Sequence, residues 1–374
     1  MLLTDVSELV CTSCGGELSI AETIRADGHD VIEGTLSCAG CGRCFPVREG
    51  IPRFLDGVTG YNASWNHKWN VIDRGRGLNH LILDKHDPAY QLHDLYDRNS
   101  YGGRAFNRMK GGRALEIGCG VGQYVIKSLL EHSPRKIVAL DSTEGVDTLR
   151  RIIVHRWPDL LDRILFVQGS VFSMPFRPSS FDYVYSFGVL HHTGRTEAAI
   201  RAAAGLVREG GQLNIWVYAA AVYHLDTRET GRRRLSGWVP LLRIVYARLH
   251  ARALYFLFSL LTPSQADRLL RPFSSAAWFR LSRVPVLKVI PRLILSPPPH
   301  PNRDYRHLNL FDGYVNSWAE NWSEAELFPI FRECNIVLKG ISPWRVGLWG
   351  VKDSGFYQDE AATEKCAPRD GAES

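Results

Sequence analysis

No uncharged run in residues 225–306, a strongly apolar stretch, approaches the roughly 20 needed to cross a bilayer, so no transmembrane anchor is expected there. Neither sign of charge dominates: 45 Lys plus Arg stand against 39 Asp plus Glu, a formal +6, well below the strongly basic profile of many nucleic-acid binders. No RNA-binding module is recognisable. The first residues lack the pattern of a secretory signal, so a cytoplasmic setting with reduced cysteines is expected. The third glycine of a dinucleotide fingerprint is also missing, because position 123 is Gln123, which argues against a nicotinamide or flavin site.

What is present centres on residues 114–122, an apolar run ending in Glu116 and followed by Gly118, Gly120 and Gly122. The pattern predicts a buried parallel strand over 113–117, a glycine turn, and a helix over 123–130. A unit of this kind offers bare backbone to a ligand at the strand's carboxyl end. A second apolar strand, 136–140, ends in Asp141, where a carboxylate can accept hydrogen bonds from both ribose hydroxyls. Asp141 could equally cap a helix beginning near Glu144. Further strands are expected at 164–167, 181–187 and 212–218, alternating with helices, which predicts an α/β fold with an open, doubly wound parallel sheet.

In order and spacing these residues resemble the class I S-adenosylmethionine-dependent methyltransferases, in the group that includes the ubiquinone and menaquinone methyltransferases. The similarity covers roughly residues 100–220 and weakens towards 352. It implies a Rossmann-like, seven-stranded sheet and S-adenosyl-L-methionine as cofactor. Carried over by motif, Glu116, Gly118, Gly120 and Gly122, with Cys119 among them, would hold the methionine part and the ribose side. Asp141, followed by Ser142, would take the ribose hydroxyls. Ser170 and Val171 would lie at the adenine, and Phe187 and Gly188 beneath the sulfonium. Ser170 stands where family members often have Asp, and Glu209 where a Pro commonly precedes paired glycines. His191 and His192, at the end of the fourth strand, are the candidate bases; packing under the sheet rim is the other reading. Adjacent side chains leaving a strand point to opposite faces, so only one of the two is expected to reach the methyl.

Cys11, Cys14, Cys38 and Cys41 form two Cys-x-x-Cys knuckles, the spacing of a closed, structural zinc site. Residues 1–56 are too few for a generous core, so metal would supply much of their folding free energy. Around the knuckles, residues 31–38 and 45–52 resemble the Trm112-type zinc ribbon, a family of small activators of methyltransferases acting on tRNA, rRNA and protein. Cys44 falls at a spacer position. Fused here to a catalytic region, the ribbon would stabilise it, contact substrate, or both.

Residues 57–110 read as a linker and cap helices, with Tyr61, Trp65, His67 and Trp69 either lining a lid or packing as core. Residues 225–306 form a basic, apolar helical insert with 15 basic and 4 acidic residues. Three readings stay open: peripheral membrane contact through 239–293, guidance of RNA or nucleotide-linked phosphates, or a roof over a small-molecule pocket. Beyond it, Asn309 and Asp312 face substrate or lie on a solvent turn. An amphipathic helix and two antiparallel edge strands, 336–339 and 345–351, complete the catalytic region at 111–352. Residues 353–374 read as a disordered tail. The reading is a methyltransferase acting on a small-molecule or lipid- or sugar-linked intermediate. RNA or protein methylation and a non-catalytic cofactor-binding scaffold are the alternatives.

Overall fold

The computed structural model describes residues 1–55, 60–74, 108–218, 249, 253–254, 256–284, 287, 294–295, 303–315, 319–341 and 346–356. The expected tail beyond 356, the linker at 75–107 and most of the insert's first half lie outside these.

The N-terminal ribbon is a four-stranded antiparallel sheet of β1 (Leu18–Asp27), β2 (Asp30–Cys38), β3 (Cys44–Arg48) and β4 (Ile51–Pro52), in that order. A second sheet has seven strands: β5 (Arg113–Ile117), β6 (Lys136–Asp141), β7 (Ile164–Gln168), β8 (Phe181–Phe187), β9 (Val207–Trp216), β10 (Ile336–Ile341) and β11 (Gly347–Lys352). Their spatial order is β10-β11-β9-β8-β5-β6-β7, with β5 to β9 parallel and the β10–β11 hairpin antiparallel to β9. β5 and β8 have the bounds expected from their apolar runs. β9 instead begins five residues before the expected position 212, because Val207 also pairs with β8. Pairing steps from Phe181–Val207 directly to Tyr183–Gln212, and Gly210, at φ 69°, lets the extra residues bulge out.

Helices α2 (Gln123–Glu131) and α3 (Gly145–Arg156) cover one face, burying Ile126, Leu129, Leu149 and Ile153 against Ala114, Ile137 and Tyr185. Helices α4 (Thr196–Leu206) and α8 (Glu324–Glu333) cover the other, through Ala199, Ile200, Leu327 and Phe331. The ribbon shares that second core. Leu9, Leu36, Phe45 and Phe54 are buried in one continuous cluster with Leu115, Leu140 and Val167. The ribbon's small core is therefore extended by the sheet, so its apolar stabilisation does not rest on metal alone.

Polar contacts run along the same seam. Arg113 donates to Glu8 at 2.7 Å, and Lys136 and Arg150 pair with Asp5 and Asp30. Phe54 N–H donates to the Gln168 carbonyl at 2.8 Å, and Val10 N–H to that of Pro175 at 3.0 Å. The loop between β7 and β8 is thus held by the ribbon at its start and near its middle.

Helix α1 (Gly60–Arg74) packs between α3 and the insert helices α5 (Pro263–Leu270) and α7 (Arg303–Val315), which the short helix α6 (Ala276–Leu281) separates in sequence. α7 begins inside the expected insert and runs past its boundary at 306. Its Leu310 and Phe311 share a small core with Phe258, Ala266 and Leu270. Asn309 and Asp312 lie on this helix and not on a turn; their side chains, like that of Tyr61, lie outside the described residues.

Candidate functional site

The carboxyl ends of β5, β6 and β8 converge on one loop cluster. After β5, the chain turns through Gly118, Gly120 and Gly122 at φ 80°, 51° and 85°, the left-handed region that glycine enters without strain. Gly118 and Cys119 donate their N–H groups to the Leu140 carbonyl at 2.8 and 3.0 Å. Gly120 N–H donates to Oδ2 of Asp141 at 2.7 Å, and Oδ1 accepts from the Thr143 hydroxyl at 2.6 Å and its N–H at 2.8 Å. Asp141 is therefore fixed to the glycine loop. It is not a helix cap: Glu144 holds that position before α3. Oδ1 thus has both lone pairs engaged, so a further donor is better met by Oδ2.

Glu116 is buried beneath the same loop, accepting from the Tyr185 hydroxyl at 2.9 Å. Burial pushes its carboxyl well above the ordinary range; the Tyr185 hydrogen bond opposes this and the Asp141 charge adds to it. Asp141 is also raised, by burial, against the Thr143 and Gly120 hydrogen bonds. Two buried carboxyls with no cationic partner among the described residues form a site that favours a positively charged ligand. Ser142, Ser170 and Val171 are half-buried at the neighbouring strand ends, with Ser170 Oγ accepting from Phe172 N–H at 3.2 Å. Phe187 is buried, and Gly188 N–H donates to the Trp216 carbonyl at 3.0 Å.

His191 and His192 do not leave a strand in extended form. They lie in the short 3-10 turn Leu190–His192, so both rings turn inwards, with centroids 4.1 Å apart, and the expected division between opposite faces does not occur. The His191 ring lies 3.9 Å from that of Tyr218. Its Nδ1 and Nε2 are buried and meet no hydrogen-bond partner among the described residues. Burial, then the adjacent His192, holds its pKa well below the ordinary histidine value, so the imidazole is neutral near pH 7.

Sequence reasoning missed Glu320. Its N–H donates to the His191 carbonyl at 2.8 Å, and its carboxylate accepts from Thr196 N–H at 3.0 Å, pinning the histidine turn to the start of α4. Arg53 was missed as well: it reaches Gln168 Oε1 at 3.1 Å and Asp147 Oδ2 at 2.9 Å, bracing the loop after β7. No local pattern marks either residue, since each acts across long sequence separations.

Helix α1 closes over the loop cluster. Trp69 lies against Gly120 and Gly145, where a Cβ would meet its indole at 2.7 and 2.9 Å. Asn66 Oδ1 accepts from Glu144 N–H at 2.9 Å, and Trp65 meets the edge of His192 at 5.0 Å. His67 points the other way, stacking on Phe311 of α7 at 5.4 Å.

In the ribbon, the Sγ atoms of Cys11, Cys14, Cys38 and Cys41 all lie within 4.8 Å of one another. Four soft donors so gathered fit a single tetrahedral zinc ion with no position left for water. Cys44 lies outside the cluster, near the Gly42 carbonyl. One zinc per molecule is expected by metal analysis, lost in Cys38→Ser and kept in Cys44→Ser. Since the ribbon holds the loop after β7, metal loss should also weaken cofactor binding; unchanged metal content in Cys38→Ser would contradict the ligand set.

Residues 115–215 match the family model described as a methyltransferase domain, and residues 8–50 that of the Trm112p-like proteins. An uncharacterised Synechococcus protein is 34% identical over 109 residues, 29% of this chain and 25% of that one. A sterol 24-C-methyltransferase of Gibberella zeae is 26% identical over 177 residues, 47% of this chain and 43% of that one. A 27-O-demethylrifamycin SV methyltransferase of Amycolatopsis mediterranei is 30% identical over 103 residues, 28% of this chain and 37% of that one. The chain thus spans less than half the length of each of these relatives. It carries a methyltransferase domain preceded by a Trm112-like ribbon.

Proposed function

We propose that the chain is an S-adenosylmethionine-dependent methyltransferase whose acceptor is a small-molecule or lipid- or sugar-linked biosynthetic intermediate. The observation that carries this is the hydrogen-bonded union of the glycine loop with Asp141 above a buried, uncompensated Glu116. That arrangement suits a cationic nucleoside and offers no third glycine for a dinucleotide. When bound, the cofactor supplies an electrophilic methyl on a cationic sulfur. Everything else falls to the chain's own groups.

Asp141 would hold the ribose hydroxyls, Glu116 and the backbone of residues 118–122 the methionine part, and Ser142, Ser170 and Val171 the adenine. Phe187 and Gly188 would lie beneath the sulfur. α1, through Trp65 and Trp69, shields the cluster from water, which strengthens electrostatic contacts inside. His191, neutral and with ring nitrogens that meet no partner among the described residues, is suited to accept a proton from the acceptor's nucleophile or to orient it. The two named relatives modify a sterol carbon and a rifamycin oxygen, which supports a small-molecule acceptor without choosing its atom. The scaffold alternative predicts cofactor binding without turnover.

A proton-linkage test follows from Glu116. A cationic ligand lowers the pKa of a carboxyl that burial has raised, so cofactor binding should release protons. Affinity should then rise with pH across the range in which Glu116 ionises in the free protein. Calorimetry in buffers of different ionisation heat measures this directly; proton uptake, or none, would remove Glu116 from the cationic end of the site.

A further inference from the structure

Among the described residues of the insert, large apolar side chains and arginines stand exposed beside small and polar residues such as Ser259, Ser264 and Gln265. Leu249, Phe256 and Leu260 are 60%, 68% and 65% exposed. Phe256 lies in the helical stretch 256–259, and Leu260 lies in the turn that follows it. The opposite side of that segment is apolar too: Phe258 is buried, with Leu254 and Leu261 packed beside it against Leu270 and Phe311. A helix apolar on both sides is normally buried on both, and Phe256 and Leu260 meet no covering surface among the described residues. Leu257, Leu269, Val284, Leu287 and Ile294 of the same insert are exposed as well.

Charge identifies the cover. Between Glu229 and Asp304 the sequence holds 13 Arg and Lys and one acidic residue, Asp267. Asp267 is itself buried, accepting from Arg271 at 2.9 Å and paired with His307 at 2.6 Å. It leaves little negative charge on the surface to offset Arg268, Arg280 and Arg283, all exposed. We propose that this face of the insert docks on an anionic lipid surface, its Phe and Leu side chains entering the headgroup boundary and its arginines meeting the lipid phosphates. A second copy of the chain would bring like charge against like charge. RNA would satisfy the arginines but leave the aliphatic side chains in water, since bases stack on aromatic faces and not on leucine. No helix among the described residues is long and apolar enough to cross a membrane, so the contact is peripheral.

The test is flotation of the full chain with vesicles of phosphatidylcholine alone or mixed with phosphatidylglycerol. Binding to the mixed vesicles is expected, weakening with salt and on phosphatidylcholine alone. The pair Phe256→Ser and Leu260→Ser should lower it about tenfold or more, and Arg268→Glu with Arg280→Glu should do likewise. Ile24→Ser, at a 69% exposed position on β1, should leave it unchanged. Matching thermal unfolding and cofactor affinity in all variants keeps this result separate from the proposed methyl transfer. The proposal is overturned by no flotation with mixed vesicles, or by flotation indifferent to both pairs. It is equally overturned if the pairs instead abolish self-association or RNA binding.

Discussion

Replacing His191 by alanine is expected to lower turnover by about 10² to 10⁴-fold, the usual loss when a proton-accepting group is removed, while S-adenosylmethionine affinity stays near wild type. The expectation rests on a ring that is fully buried and neutral and whose two nitrogens meet no partner among the described residues. A buried polar group left unsatisfied costs about 1 to 3 kcal/mol, so its retention in an aromatic surround asks for a ligand to complete it. Packing is the competing account, because His191 lies against Tyr218 and His192. His191→Phe separates the two, keeping a ring while removing both nitrogens. If turnover per folded molecule survives in the Phe variant, His191 only packs. His192→Ala should behave differently: it removes the edge against Trp65, loosening α1 and raising KM more than it lowers kcat.

Asp141→Ala should weaken cofactor binding about ten- to a hundredfold, as expected for loss of a charged hydrogen-bond partner worth roughly 1.5 to 3 kcal/mol. The loop contributes to the effect, since Asp141 also takes the Gly120 and Thr143 N–H groups. Asp141→Asn keeps one acceptor oxygen and should fall between alanine and wild type. Calorimetry on folded variants reads this directly, with NADH as a ligand that should not bind. Unchanged affinity in Asp141→Ala would remove the residue from the site.

Local periodicity made much of this fold legible. The apolar runs ending at Ile117, Asp141 and Phe187 are strands buried on both faces, and the residues that follow them must lie at one edge of a parallel sheet. The glycine loop, Asp141 and the histidines were placed together on that ground. What sequence could not show was pairing at a distance. Nothing near Trp69 says that its indole lies against Gly120 and Gly145, nor does Glu320 announce that it holds the histidine turn. The β9 start was misplaced because its paired glycines read as a turn, when in the structure they bulge within a strand. The inward turn of both histidines was hidden for a similar reason: a single 3-10 turn leaves no periodic trace. The seam of ribbon and sheet likewise depends on contacts between residues some hundred positions apart, such as Phe54 with Gln168.

A crystal structure of the full chain with S-adenosylhomocysteine is the measurement closest to the central claim. The account predicts ribose hydroxyls on the Asp141 carboxylate, the amino group at Glu116, and the sulfur above Gly188, open towards His191. A nucleoside bound elsewhere, or binding that leaves Asp141 and the glycine loop untouched, would contradict it.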